Sequence, residues 1–70
     1  MDLGKALAIA GRGSKMTRKA WNGDGYFGYE DGLLYVRSCK NPEKEISVKY
    51  MWKKENVDAL DYMEFKEGNR

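Results

Sequence analysis

The stretch YFGYEDGLLYVR, residues 26–37, constrains the fold more than any other part of the chain. Asp31-Gly32 stands between two runs of aromatic and aliphatic residues. A two-residue type I′ turn selects such a pair because both of its positions need positive φ. A turn there pairs Glu30 with Leu33, Tyr29 with Leu34, Gly28 with Tyr35, Phe27 with Val36 and Tyr26 with Arg37. Side chains alternate across a strand, so the register sorts them into two faces. Phe27, Tyr29, Leu34 and Val36 form one apolar patch, the expected core face. Tyr26, Gly28, Glu30, Leu33, Tyr35 and Arg37 form the other. Tyr35 falls opposite the bare backbone of Gly28, a known compensating arrangement. This second face is too aromatic for plain solvent and is expected to bind a ligand or another subunit.

The rest of the 70 residues fits one domain around that hairpin. Residues 2–10 predict a short helix. Asp2 is its N-cap, Leu3, Ala6, Leu7 and Ala10 make an apolar stripe, and Gly11 is a natural stop. So short a helix does not persist alone, so the stripe must dock. Residues 15–18 read as a short strand with Met16 inward. Trp21-Asn22-Gly23-Asp24-Gly25 reads as a turn, because Asn, Asp and Gly tolerate positive φ. Residues 38–44 are a loop marked by Asn41-Pro42. Residues 45–52 alternate again and predict a strand, with Ile46, Val48, Tyr50 and Trp52 facing one way and Glu45, Ser47, Lys49 and Met51 the other. Residues 54–60 predict one or two helical turns anchored by Val57 and Leu60. Residues 62–65 read as a last short strand, and 66–70 as a polar, frayed tail. The expected class is α+β: a short N-terminal helix packed on a small antiparallel sheet, with a central type I′ hairpin and a short helical turn before the last strand.

A domain of this size has a marginal core. Cys39 is the single cysteine and there is no histidine, so neither an internal disulfide nor a metal site is expected. Oligomerisation or a bound ligand remains as the staple, and a homo-oligomer, dimer or tetramer, is expected. The net charge is +2, from 13 basic and 11 acidic side chains, which argues against a duplex-DNA binder but permits local anion sites. No apolar run approaches the ~20 residues of a membrane span, so no membrane partner is expected. The first residues lack a signal peptide's apolar stretch, and a free cysteine fits a reducing cytoplasm. Gly11-Arg12-Gly13-Ser14-Lys15 invites a phosphate-loop reading. Its glycines follow a helix rather than a strand, however, and Lys15 follows Ser14. Histidine-based acid–base chemistry is excluded, and Cys39 has no histidine to activate it. No catalytic residue and no cofactor are expected. Two Trp, five Tyr and two Phe are more rings than so small a core hides easily.

Leu3-Gly4-Lys5-Ala6-Leu7, followed by Lys15-Met16-Thr17-Arg18-Lys19-Ala20-Trp21-Asn22-Gly23, carries a resemblance. The pattern is an aromatic or Leu, Gly-x-Ala-Leu, a short spacer, then apolar-x-Arg-x-Gly-Trp-Asn-Gly. It resembles the second class of Thoeris anti-defence proteins, a small phage and prophage domain. Trp52 and Ala59-Leu60-Asp61-Tyr62 look like the family's C-terminal segment, a Trp and then a helical turn ending in Ala-x-Asp-Trp. Ala20 stands where Gly is common, Tyr62 where the family has Trp, and the middle region is shorter than in the longer members. The resemblance implies a sponge in the bacterial host cytoplasm. Such proteins capture cyclic nucleotide immune signals, glycocyclic ADP-ribose among them and cyclic dinucleotides for some members, without cleaving them.

Such a ligand presents flat bases, ribose hydroxyls and phosphates. Stacking a base on an aromatic ring is worth roughly 1–3 kcal/mol, and an Arg fork suits a phosphate. The candidate site residues are Arg18, Trp21, Asn22, Tyr26, Tyr35, Arg37 and Asp61. Trp21 with Tyr26 or Tyr35 would stack, Arg18 or Arg37 would meet phosphate, and Asn22 a base edge or ribose. Asp61 would meet a ligand amine or hydroxyl, unless it caps the short helical segment or pairs with Arg18. Each has a plainer reading. Trp21 and Trp52 also suit core plugs, Asn22 a turn residue, and Arg18 with Asp61 an ion pair locking the two ends of the chain. A small protomer does not enclose a pocket of ~300–1,000 Å³, so two subunits sharing one across the hairpin face is the expected geometry. Two other functions fit the same face: a single-stranded nucleic-acid module and a direct protein inhibitor of an immune effector.

Overall fold

Asp31 and Gly32 both take positive φ, 53° and 78°, and the hairpin they close has the register read from the sequence, from Glu30 opposite Leu33 to Tyr26 opposite Arg37. The structure is a computed structural model that describes residues 1–41, 43 and 45–66. The hairpin strands are β2 (Gly25–Glu30) and β3 (Leu33–Ser38); before them come α1 (Leu3–Ala10), β1 (Met16–Arg18) and a 3-10 turn, Lys19–Trp21. After them come β4 (Glu45–Ile46), a second 3-10 turn, Val48–Trp52, then α2 (Lys54–Val57) and β5 (Tyr62–Glu64). The strands form one antiparallel sheet in the order β4-β3-β2-β1-β5. The α+β class expected from the sequence is therefore the class observed. Among the described residues no helix is long and apolar enough to cross a membrane.

The Asp2 carboxylate accepts the Lys5 N–H at 2.8 Å and caps α1. The helix ends at Gly11, which stays right-handed; Gly13, at φ 106°, makes the reversal into β1. Leu3, Ala6 and Ala10 are buried against Met16 of β1, Phe27 of β2, Val36 of β3, Met51, Ala59 and Tyr62 of β5. The alanines let the helix approach the sheet closely. Burying these apolar surfaces is the main force holding the fold. Tyr29 departs from the expected core face: it is 37% exposed, because the hairpin tip runs past the packed centre.

The strand expected over residues 45–52 is corrected. Only Glu45 and Ile46 pair, with Arg37 and Val36. Ser47 then ends the strand: its hydroxyl accepts the Lys49 N–H at 3.3 Å and its carbonyl the Tyr50 N–H at 3.0 Å. A three-residue turn puts Val48 and Met51 on one side, whereas a strand would oppose them. Met51 is accordingly fully buried and Trp52 is 50% exposed, the reverse of the alternation reading. The anchors expected at Val57 and Leu60 are also corrected, since both are exposed while Asn56 and Ala59 are buried. Asn56 tolerates burial because its amide is satisfied, donating to the Tyr50 carbonyl at 2.7 Å and accepting from Arg18 at 2.9 Å. Pro42 and Lys44, within the loop expected over 38–44, and the tail at 67–70 lie outside the described residues.

Candidate ligand groove

The Trp-Asn-Gly segment makes the bend its composition dictates. The 3-10 turn Lys19–Trp21 ends on Asn22 at φ 52°, followed by Gly23 at φ 76°. Asn and Gly are the residues that occupy this left-handed region at least cost. The Asn22 N–H donates to the Lys19 carbonyl at 3.1 Å and the Asp24 N–H to the Trp21 carbonyl at 2.9 Å.

Behind the bend lies a polar network. Arg18 Nε donates to Asp61 Oδ1 at 2.7 Å and Arg18 Nη1 to Asn56 Oδ1 at 2.9 Å. Asp61 Oδ2 accepts the Ala20 N–H at 3.1 Å, and the Asp61 carbonyl accepts the Lys19 N–H at 3.1 Å. The Arg18 hydrogen bond holds the Asp61 carboxyl below its ordinary pKa, and the same bond raises that of Arg18. The ion pair weighed as the plainer reading of these two residues is therefore present.

Trp21 turns toward the core. Its ring meets Phe27 and Tyr62 edge-on, with centroids 6.2 and 6.3 Å away, and Tyr50 at 6.0 Å. Trp21 and Arg37 share the wall of a shallow cleft of about 320 Å³, with Val36, Ile46 and Tyr50.

The second face of the sheet carries a continuous row. Phe65 stacks on Tyr26, with centroids 4.7 Å apart and planes 16° apart, and Tyr26 meets Tyr35 edge-on at 6.2 Å. The Arg37 guanidinium lies 4.3 Å from the Tyr35 centroid and pairs with Glu30 at 3.1 Å. Lys15 Nζ sits 5.3 Å from the Tyr26 centroid. The rings of Tyr26 and Tyr35 are thus already engaged by their neighbours.

At the Phe65 end of this row the surface opens into a groove of about 490 Å³. Thr17 and Lys19 line it from β1 and the bend, Asn22 and Gly23 from the bend itself, and Met63 and Phe65 from the last strand and its exit. Arg18 borders it too. The β1–β5 register explains the assembly: Thr17 lies opposite Met63, so both point to the second face, and Phe65 follows two residues later. The Thr17 hydroxyl is tied inward, donating to the Gly25 carbonyl at 2.6 Å.

The seven residues singled out from the sequence therefore divide. Asn22 and Arg18 border the groove, Asp61 supports it from behind, Tyr26 backs its aromatic wall, Tyr35 and Arg37 continue the row away from it, and Trp21 faces the core cluster. Phe65, Met63 and Thr17 were not singled out. The alternation of residues 62–65 already opposes Met63 and Phe65 to Tyr62, but only the pairing of β5 with β1 brings them beside the bend. Comparison of the chain with family models, with curated proteins and with solved structures finds no match in any of the three.

Proposed function

We propose that this chain captures a cyclic nucleotide immune signal, glycocyclic ADP-ribose or a cyclic oligonucleotide, and holds it without cleaving it. The observation that carries this reading is the groove, about 490 Å³, with a phenyl ring on one side and a left-handed Asn-Gly bend on the other. That volume lies within the range of small-molecule sites. Phe65 takes the stacking role, braced from behind by Tyr26. The Asn22 amide offers a donor and an acceptor to a base edge or ribose. Arg18, Lys19 and Lys66 on the groove outnumber its one carboxylate, Glu64, and supply charge for phosphates. Capture needs no general base and no nucleophile, in keeping with a chain without histidine. The groove is open, so a second protomer supplies the outer wall, and the sponge works as a homo-oligomer in the cytoplasm of a phage-infected bacterium. The motifs over residues 3–23 and 59–62 that resemble the Thoeris anti-defence family point the same way.

The test is recovery. The protein is incubated with a panel of cyclic nucleotides, freed of unbound ligand, and denatured. Intact nucleotide in the released fraction is expected. A chemically altered nucleotide would mean catalysis. No retained nucleotide, with salt-dependent binding to single-stranded oligonucleotides instead, would replace capture with the nucleic-acid reading.

A further inference from the structure

Arg18 occupies the N-cap position of the 3-10 turn Lys19–Trp21 and makes no side-chain cap there. The acceptor comes from the other end of the chain. Asp61 Oδ2 takes the Ala20 N–H at 3.1 Å while Oδ1 takes Arg18 Nε at 2.7 Å, and the Asp61 carbonyl takes the Lys19 N–H at 3.1 Å. One residue thus grips three consecutive residues of the segment that leads into Asn22. Asp61 also stands two positions before Met63, which lines the opposite side of the groove. The Asp61 side chain is 30% exposed and its partner Arg18 only 15%, so their ion pair is partly shielded from water, whereas the Ala20 bond lies at the surface.

We infer that Asp61 is a positioning residue: as a long-range cap of the turn, it sets the distance between the Asn22–Gly23 wall and the Met63–Phe65 wall, and so controls how long the groove retains its occupant. For what the groove retains, the inference rests on the capture reading; the grip on the bend is testable without any ligand. A carboxylate serves both donors because it has two acceptor oxygens. The two donors meet different oxygens, and the amide of Asp61→Asn puts an NH2 group in the place of one of them, so either Arg18 Nε or the Ala20 N–H then faces a donor.

The test has two arms. In the first, amide hydrogen exchange is followed by NMR on the ligand-free protein. Asp61→Asn is expected to speed exchange at Ala20, Asn22 and Asp24 by about tenfold, the loss of one charge-assisted hydrogen bond, while Phe27 and Val36 in the hairpin stay protected. In the second, release of glycocyclic ADP-ribose is timed well below each variant's unfolding midpoint. Asp61→Asn is expected to release it about tenfold faster, and Asp58→Asn, which breaks only the exposed pair with Lys54, at the wild-type rate. Should Asp61→Asn fail to fold, Asp61→Glu keeps the charge and moves the acceptors outward by one methylene, and faster exchange at the same three amides is expected of it. Unchanged exchange at Ala20 and Asn22 overturns the inference, as does accelerated exchange with unchanged release. If the wild type retains no glycocyclic ADP-ribose, capture of that ligand fails, and the exchange arm alone decides whether Asp61 holds the bend.

Discussion

The ring of Tyr35 lies so close over Gly28 that a Cβ at that position would stand 2.9 Å from the phenol oxygen. Only glycine leaves room for the ring, and the ring in turn carries the Arg37 guanidinium 4.3 Å from its centroid. Gly28→Ala is therefore expected to lift Tyr35 off the sheet and cost about 1–3 kcal/mol, the usual penalty of overpacking. Urea denaturation measures the cost. An unchanged midpoint would mean that the ring swings aside freely.

Met51 and Trp52 trade the roles that alternation assigns them. Met51→Ala removes a fully buried side chain and is expected to cost about 2–5 kcal/mol. Trp52→Ala removes a ring that is 50% exposed and is expected to cost about 1 kcal/mol or less. Comparing the two denaturation midpoints checks the 3-10 turn, since a strand over 45–52 would reverse their order.

How far the fold was legible in the sequence follows from the range of its signals. Asp31-Gly32 fixes a turn from two adjacent residues, so the register of β2 and β3 needed nothing distant. Asp2 and the Leu3–Ala6–Ala10 spacing are equally local. Val48, Tyr50 and Trp52 alternate just as a strand does, yet the alternation carries no information about Ser47 closing a turn on the Lys49 amide and ending the pairing of β4 with β3 at Ile46. The groove fared likewise. Asn22 was legible because its left-handed bend is local. Phe65 was not, because its partner Tyr26 is remote in sequence and reaches it only through the strand order β2-β1-β5. Trp21 was legible as a core plug or a stacking wall, but the choice between them was not, since Phe27, Tyr50 and Tyr62 converge on it from three elements.

Tyr62 gives the fold an alkaline limit. Burial pushes its phenol up to about 12, and its hydroxyl donates to the Asn56 carbonyl at 2.7 Å. The folded state keeps the proton where the unfolded chain has lost it. The corresponding stability is complete below pH 10, the ordinary tyrosine value, and is lost as the pH rises from there through about 12. The loss expected over that window is roughly 2–3 kcal/mol. Tyr62→Phe is expected to be less stable at neutral pH, because the Asn56 carbonyl loses its short bond from the phenol and keeps the longer one from the Ala59 N–H at 3.3 Å, and to show a flatter alkaline limb in thermal melts.

Asp61 sets an acid limit by the opposite sign. Its carboxyl is held below the ordinary value by the Arg18 hydrogen bond, so the folded state favours the ionised form. That stability is full above the usual carboxylate range and is lost as the pH falls through and below it. Urea midpoints at neutral pH and at pH about 3 should differ less in Asp61→Asn than in the wild type. An equal difference in both proteins would place the acid sensitivity elsewhere.

The most direct measurement is a titration of the isotopically labelled protein with glycocyclic ADP-ribose, followed residue by residue by NMR. Capture in the groove predicts saturable shifts at Thr17, Asn22, Gly23, Met63 and Phe65, with Tyr29 and Leu33 at the hairpin tip unmoved. Spectra unchanged by this ligand and equally by a cyclic dinucleotide, or shifts confined to the hairpin tip, would contradict it.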